Sequence, residues 1–123
     1  MIEVKSDIVY LADSSDNKKQ LYRIYNEVSK ELVGVGTISL NVDIANDLIT
    51  FRSKHRSAHR STLLEKEVPN LKQEVDIQLS NMFKVMIKKK LEKDLDLEVE
   101  AILRDYDSRT QLAFTNVVLA NKK

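Results

Sequence analysis

The chain has 123 residues, with 20 Lys and Arg against 19 Asp and Glu, two His, one Pro, two Gly and no Cys. This length corresponds to a single domain, since domains most often contain about 100–150 residues. The formal net charge of +1 excludes a strong overall attraction to nucleic acids or membranes, so such binding requires a local patch. The absence of Cys excludes disulfides, thiolate metal sites and thiol nucleophiles.

The start of the chain does not resemble a signal peptide, because Glu3, Lys5 and Asp7 interrupt its apolar residues. No run of about 18 apolar residues occurs in the sequence, so we expect no membrane span and a cytoplasmic protein. We predict an N-terminal extension over residues 1–15, which is either an edge strand or disordered. Residues 16–120 then form a single α+β domain and residues 121–123 a tail.

The first predicted element is a helix that begins near Asp16. Ser14 and Ser15 are suited to cap it, because a side-chain oxygen accepts a hydrogen bond from the first turn. Gly34 is suited to the left-handed conformation that ends a helix. Apolar residues recur at spacings of three and four and define one face, which the fold must cover: Leu21, Ile24, Tyr25, Val28 and Leu32.

From Thr37 the apolar period changes to two, which predicts a strand with one wet face. The apolar members of this strand are Ile38, Leu40, Val42 and Ile44. The turn residues 45–47 lead into a second strand, from Leu48 to about Ser53. We predict a hairpin in which Ile49 and Phe51 face inward.

Residues 61–67 are either a short helical turn that ends at Pro69 or the start of the next helix. A long helix is predicted from Asn70 to about Asp94. Its apolar stripe contains Leu71, Val75, Leu79, Met82 and Met86, widened by Phe83, Ile87 and Leu91. Such a helix is roughly 35 Å long, whereas a domain of this size is about 25–30 Å across. We therefore predict a homodimer with a contact formed by Leu79, Met82, Phe83 and Met86.

Alternation over residues 97–104 predicts a third strand, with Leu97, Val99, Ala101 and Leu103 on one face and Glu98, Glu100, Ile102 and Arg104 on the other. Residues 105–110 are predicted as a loop. A fourth strand, Gln111 to Leu119, is apolar on both faces, which favours a central position or a subunit contact. The fold class is therefore α+β: an antiparallel four-stranded sheet with helices packed on one face, in the order α-β-β-α-β-β.

The basic segment, residues 52–60, contains four permanent cations, both His and no acidic residue. It is either a solvated connector or a site for phosphates, an anionic headgroup or an acidic partner. Nucleic-acid readers usually add aromatic platforms, but the nearby Phe51 fits the core. The candidate partner-binding residues are Arg52, Lys54, His55, Arg56, His59 and Arg60.

Metal and phosphate sites are disfavoured. His55 and His59 lie four residues apart, but a structural zinc needs four ligands and the neighbouring cations repel a metal ion. Gly34 and Gly36 lie between a helix and a strand, whereas a phosphate-binding loop follows a strand and precedes a helix. We predict no metal and no cofactor.

The acidic pairs at positions 98 and 100 and at 105 and 107 are poor catalytic candidates. Paired carboxylates act as acid and base only where their environment separates their pKa values, typically in a cleft. Ser, His and Asp are present without a nucleophile motif. We therefore predict no catalytic residue.

Four features resemble the MpsC-like family, named for the MpsC component of the sodium-translocating, membrane-potential-generating system. They are the helix end Glu31-Leu32-Val33-Gly34-Val35-Gly36, the hairpin from Ile38 to Phe51 with its turn at Asn46-Asp47, the polar connector to a long helix, and the strands around Leu97–Leu103 and Ala113–Leu119. The likeness covers about Leu21 to Leu119. Family members commonly have Gly-x-Gly-Pro at the first feature, and Thr37 stands here in place of that Pro.

The resemblance implies a small accessory protein that works with membrane transporter subunits handling Na⁺ or bicarbonate. We therefore expect a non-enzymatic accessory or regulatory component that acts by protein–protein interaction. The alternative is a nucleic-acid-binding regulator that uses residues 52–60, with binding that weakens steeply as salt rises. A small-molecule enzyme is a third hypothesis, which a ligand-induced rise in melting temperature would support.

Overall fold

The computed structural model describes residues 11–34, 36–55 and 59–120. This part of the chain forms the helices α1 (Ser15–Val33), α2 (His59–Glu67) and α3 (Pro69–Leu95) and the strands β1 (Thr37–Ala45), β2 (Leu48–His55), β3 (Val99–Asp107) and β4 (Leu112–Leu119). The strands form one antiparallel sheet in the order β1-β2-β4-β3, with the helices packed against it. The predicted α+β class is confirmed, and α2 is a separate helix rather than the start of α3.

Helix α1 begins and ends at the predicted signals. The Ser14 side chain accepts a hydrogen bond from the Asn17 N–H at 3.1 Å. At the other end Gly34 adopts φ 80°, and its N–H donates to the Lys30 carbonyl. The predicted apolar face is confirmed, because Leu21, Ile24, Tyr25 and Val28 are fully buried.

The hairpin of β1 and β2 turns at Asn46 and Asp47, as predicted. A bulge lies between Thr37 and Ser39, where β1 contains one extra residue relative to β2. That residue, Ile38, is 57% exposed, which corrects its predicted inward position. Strand β2 extends to His55, two residues beyond the predicted end, and Ile49 and Phe51 face the core as predicted.

Helix α3 has the predicted extent but a different buried face. Phe83, Ile87 and Leu91 lie in the core, whereas Leu71 and Met82 are about half exposed. The helix turns by about 100° per residue, so the two sets of apolar residues project in different directions. Packing of Phe83 against Tyr25 of α1, with ring centroids 4.8 Å apart, places one of these sets in the core.

This orientation corrects the predicted dimer contact. Phe83 is 3% exposed and belongs to the core of the single chain, so it is not available to a second subunit. Leu79 and Met86 are half-buried, and Met82 is 50% exposed. The large apolar residues that α3 leaves exposed are Leu71, Ile77, Met82 and Val85, and Leu71 and Met82 project in nearly the same direction.

A bulge in β3 reverses the predicted faces of that strand. Val99 pairs with Leu119 and Ala101 pairs with Val118, so Glu100 is an extra residue in the ladder. Val99 is buried, but Leu103 is 59% exposed, which corrects its predicted inward position. The strand also continues to Asp107, through half of the segment predicted as a loop.

Strand β4 lies between β2 and β3, which confirms the predicted central position. Its inward residues Ala113, Thr115, Val117 and Leu119 are buried. Among the residues that the structure describes, none of the helices combines the length and apolar character that a membrane crossing needs. The predicted extension lies largely outside the described residues, although half-buried Leu11 packs against the core. The predicted tail, residues 121–123, lies wholly outside them.

Candidate ligand-binding site

A cavity of about 350 Å³ lies between the inner face of the sheet and all three helices. The strands contribute His55 at the end of β2 and Arg104 and Tyr106 on β3, next to Gln111 before β4. These polar side chains form what we call the sheet wall. The helices contribute a mainly apolar wall, which we call the helix wall. It contains Leu32, Val33, Leu64, Val75, Leu79 and Phe83 together with Ser29, Asp76 and Ser80.

Arg104 is the permanent cation of the sheet wall. Its Nη1 donates to Tyr25 Oη at 2.9 Å and to Thr115 Oγ1 at 2.8 Å, and its Nη2 lies 3.4 Å from His55 Nε2. The Phe83 ring stacks on the guanidinium, with the ring centroid 3.9 Å from Cζ. All of these partners are neutral or aromatic.

The charge of Arg104 lacks an anionic partner within the described part of the chain. None of the ion pairs found there includes Arg104. Its Nε is buried and has no hydrogen-bond partner among the described residues. Removing a guanidinium from water is unfavourable unless a counter-ion and hydrogen bonds replace the water. Hydrogen-bond partners are present at Nη1 and Nη2 of Arg104, whereas the described residues provide neither a partner for Nε nor a counter-ion.

His55 is buried at 7% exposure beside this guanidinium. Its Nε2 lies 2.8 Å from Tyr25 Oη and 3.1 Å from Ser53 Oγ. Burial, and then the positive charge of Arg104, lower the pKa of His55 to about 4 from 6.5. The imidazole is therefore neutral at pH 7, and since Arg104 only donates, we assign Nε2 as the acceptor and Nδ1 as the protonated nitrogen.

A buried ion pair occupies the α3 side of the site. Lys72, which is 3% exposed, pairs with Asp76 one helical turn later, and Asp76 lines the cavity. The Lys72 ammonium also lies over the Tyr106 ring, 5.9 Å from its centroid. Burial, with Asp76 as the second cause, raises the pKa of Tyr106 to about 12. The Tyr106 hydroxyl is therefore neutral at pH 7 and donates to Gln111 Oε1 at 2.9 Å.

The formal charges around the cavity leave one positive charge at neutral pH. Lys72 and Asp76 neutralise each other, and the side chains of His55 and Tyr106 are uncharged. Arg104 alone of the described lining residues then contributes an unbalanced charge. This arrangement is suited to hold a small anion, since a charge-assisted hydrogen bond from Arg is stronger than a neutral one.

The predicted partner-binding residues do not share one surface. Arg52 and Lys54 lie on the outer face of the sheet, where Arg52 stacks on Phe114 with 5.8 Å between Cζ and the ring centroid. His55 lies on the inner face, because successive strand residues point to opposite sides. Arg56 lies outside the described residues, and the backbone of His59 and Arg60 begins α2. Within the described residues, no group of three or more His, Asp or Glu has the arrangement of a metal site.

Sequence reasoning missed most of the polar groups of the cavity. Alternation along the sequence places Arg104 on an outer face and Tyr106 in a loop, because the bulge in β3 has no clear sequence signal. Continuing the inward phase of Ile49 and Phe51 does reach Ser53 and His55, which predicts two buried polar residues in β2. The alternation of β2 is therefore a sequence signal for part of the site.

Comparison of this chain with protein-family models, with curated proteins and with solved structures found no match.

Proposed function

We propose that this chain is a non-enzymatic binding protein whose cavity takes a small anion at Arg104. The observation that carries the proposal is a guanidinium in the wall of a 350 Å³ cavity with no carboxylate partner among the described residues. Cavities of about 300–1,000 Å³ are typical of small-molecule sites. An anion bound there supplies the counter-ion that Arg104 lacks.

The surroundings of Arg104 favour binding over catalysis. His55 is held by the Tyr25 and Ser53 hydroxyls, and its low pKa makes it a weak base at neutral pH. The Phe83 ring covers the guanidinium and orients it. A fixed, stacked Arg in the wall of a cavity is suited to hold an anion.

The resemblance to the MpsC-like family supports an accessory role for such a binding protein, on the cytoplasmic side of a membrane. In this proposal the chain works with transporter subunits that handle Na⁺ or bicarbonate. The exposed side of α3, which includes Leu71 and Met82, is then available for a partner or a second copy of the chain.

Thermal unfolding in a panel of anions tests the proposal. Chloride, bicarbonate, acetate and phosphate are added at matched ionic strength to the wild-type protein and to two variants, Arg104→Gln and Arg52→Gln. Because a ligand that binds only the native state stabilises it, at least one anion should raise the melting temperature of the wild type. Arg52 lies outside the cavity, so Arg52→Gln should respond like the wild type and Arg104→Gln should not.

Two results would contradict the proposal. One is a wild-type melting temperature that no anion changes. The other is an equal response in Arg104→Gln, provided that circular dichroism shows this variant to be folded. Should Arg104→Gln fail to fold, isothermal titration calorimetry on the wild-type protein measures binding directly.

A second candidate function is nucleic-acid binding on the outer face of the sheet. Phe114 is 44% exposed beside Arg52, and Lys54 lies two residues further along β2. An aromatic ring beside cations is suited to stacking of single-stranded bases. Asp105 of β3 pairs with Phe114 of β4, and its carboxylate lowers the positive charge of this surface. Nucleic-acid binding is therefore less well supported than anion binding. Fluorescence anisotropy with labelled single-stranded RNA at low and high salt, on the wild type and Phe114→Ala, tests it.

A further inference from the structure

The two walls of the cavity differ in chemistry. The sheet wall carries the unbalanced Arg104 with His55, Tyr106 and Gln111, whereas the side chains that face it from the helices are mainly aliphatic. An inorganic anion would occupy only the polar part and leave the aliphatic side chains without contacts. A ligand that fills this space needs both a charged head and an apolar body.

We propose that the ligand is a small monocarboxylic acid with an apolar body, a short aliphatic chain or a single ring. Its carboxylate binds Arg104, and its hydrocarbon part packs against the helix wall. This inference rests on the proposed function, since it names the class of anion that the same site takes.

The charge count selects one negative charge over two. Asp76 also lines the cavity, and although Lys72 pairs with it, its carboxylate disfavours a second negative charge nearby. A phosphate dianion would bring such a charge next to aliphatic side chains that cannot solvate it. A carboxylate brings one charge and an oxygen that can accept a hydrogen bond from Arg104 Nη2, since both protons of Nη1 already have acceptors.

The apolar body is selected by the residues of the helix wall. Leu32, Leu64, Val75 and Leu79 come from three different helices and surround the same space. Each methylene group that moves from water into such surroundings gains about 0.8 kcal/mol, which is about a fourfold increase in affinity. Affinity should therefore rise with chain length until the cavity is full.

Isothermal titration calorimetry with acetate, butyrate, hexanoate, hexanamide and inorganic phosphate tests this on the wild-type protein. We expect the dissociation constant to fall about fourfold per methylene from acetate to hexanoate, until the ligand exceeds the cavity. Hexanamide, which has the same body without the charge, should bind at least about tenfold more weakly than hexanoate. Phosphate should bind more weakly than butyrate.

The outcomes separate this inference from the proposed function. Suppose that inorganic anions bind. If affinity for carboxylates is then independent of chain length, or if hexanamide binds as well as hexanoate, the proposed ligand class is wrong while anion binding stands. If no anion binds at all, the proposed function itself fails and this inference fails with it.

A pair of variants locates the apolar body. Leu79→Phe adds volume inside the cavity, whereas Leu71→Phe makes the same change on the exposed side of the same helix. Leu79→Phe should weaken hexanoate binding at least about tenfold while acetate binding changes little, because only the longer ligand reaches this residue. Leu71→Phe should leave both unchanged, and equal effects of the two substitutions on hexanoate would overturn the assignment.

Discussion

Replacement of Tyr25 by Phe removes a single buried hydroxyl from the centre of the polar network. That hydroxyl lies 2.6 Å from Ser53 Oγ and 2.8 Å from His55 Nε2, and it accepts a hydrogen bond from Arg104 at 2.9 Å. The Phe ring keeps the packing against Phe51 and Phe83, whose centroids lie 5.1 and 4.8 Å away. The change in unfolding free energy therefore reports the hydroxyl alone.

The expected loss follows from what each partner retains. Each hydrogen bond contributes about 0.5–1.5 kcal/mol net, and a buried group left unsatisfied costs about 1–3 kcal/mol. Ser53 and His55 still contact each other at 3.1 Å, and Arg104 keeps its bond to Thr115. Since none of the three loses every partner, we expect a total loss of about 2–3 kcal/mol, below the sum of three unsatisfied groups.

Urea unfolding of the wild type, Tyr25→Phe and Tyr22→Phe measures this loss. Tyr22 is a matched control, because it is half-buried on the same helix and its hydroxyl makes no hydrogen bond to the described residues. Tyr22→Phe should change the unfolding free energy by less than about 0.5 kcal/mol. A loss under about 1 kcal/mol in Tyr25→Phe, with an unchanged m-value, would refute the view that this hydroxyl joins α1 to the sheet.

Three further predictions concern the protonation of His55, the buried face of α3 and the C-terminal end of α1. Because the pKa of His55 is about 4 in the folded chain against 6.5 ordinarily, the unfolded chain takes up the proton first. The contribution of His55 to the unfolding free energy is therefore full above pH 6.5, and it falls by up to roughly 3 kcal/mol as the pH decreases to 4. In a pH series of urea midpoints, His55→Gln should lose less stability than the wild type over this range. Parallel pH profiles of the two proteins would contradict the lowered pKa of His55. Phe83→Ala should cost about 3–5 kcal/mol and the neighbouring Met82→Ala under about 1 kcal/mol, so equal losses in urea unfolding would contradict the core face of α3. Gly34→Ala should lower the unfolding free energy by about 1 kcal/mol, because alanine is strained at the positive φ of this position. An added Cβ meets no described atom within 4 Å, so no steric clash contributes. An unchanged melting temperature would argue against that strain.

The parts of the fold that the sequence predicts well are those with a local cause. Helix α1 begins at a side-chain cap and ends at a residue without Cβ, and both signals lie within a few residues of the boundary. The hairpin follows from alternation on both sides of Asn46 and Asp47. These features depend on neighbours in sequence, so a single chain is sufficient to predict them.

The buried face of α3 depends on a non-local cause. Met82 and Phe83 are consecutive apolar residues that project about 100° apart, and each belongs to a stripe with helical spacing. Contact of Phe83 with Tyr25 and with Arg104 selects one stripe for the core. Both partners lie on other elements, Tyr25 on α1 and Arg104 on β3. The spacing of residues along α3 carries no information about them.

The candidate site depends on one extra residue in β3. Strict alternation from the buried Val99 would turn Ala101 and Leu103 inward and would place Arg104 on the outer face of the sheet. The bulge at Glu100 shifts the phase by one, so Ile102, Arg104 and Tyr106 turn toward the helices instead. This shift exchanges Ala101 for Ile102, Leu103 for Arg104 and Asp105 for Tyr106 on the inner face, and it places the Arg104 guanidinium beside Phe83. The bulge therefore favours burial at Ile102, which packs against the core, and at the same time places a cation on the inner face. The candidate site therefore exists only with the bulge, because the regular strand would place Arg104 and Tyr106 on the outer face of the sheet.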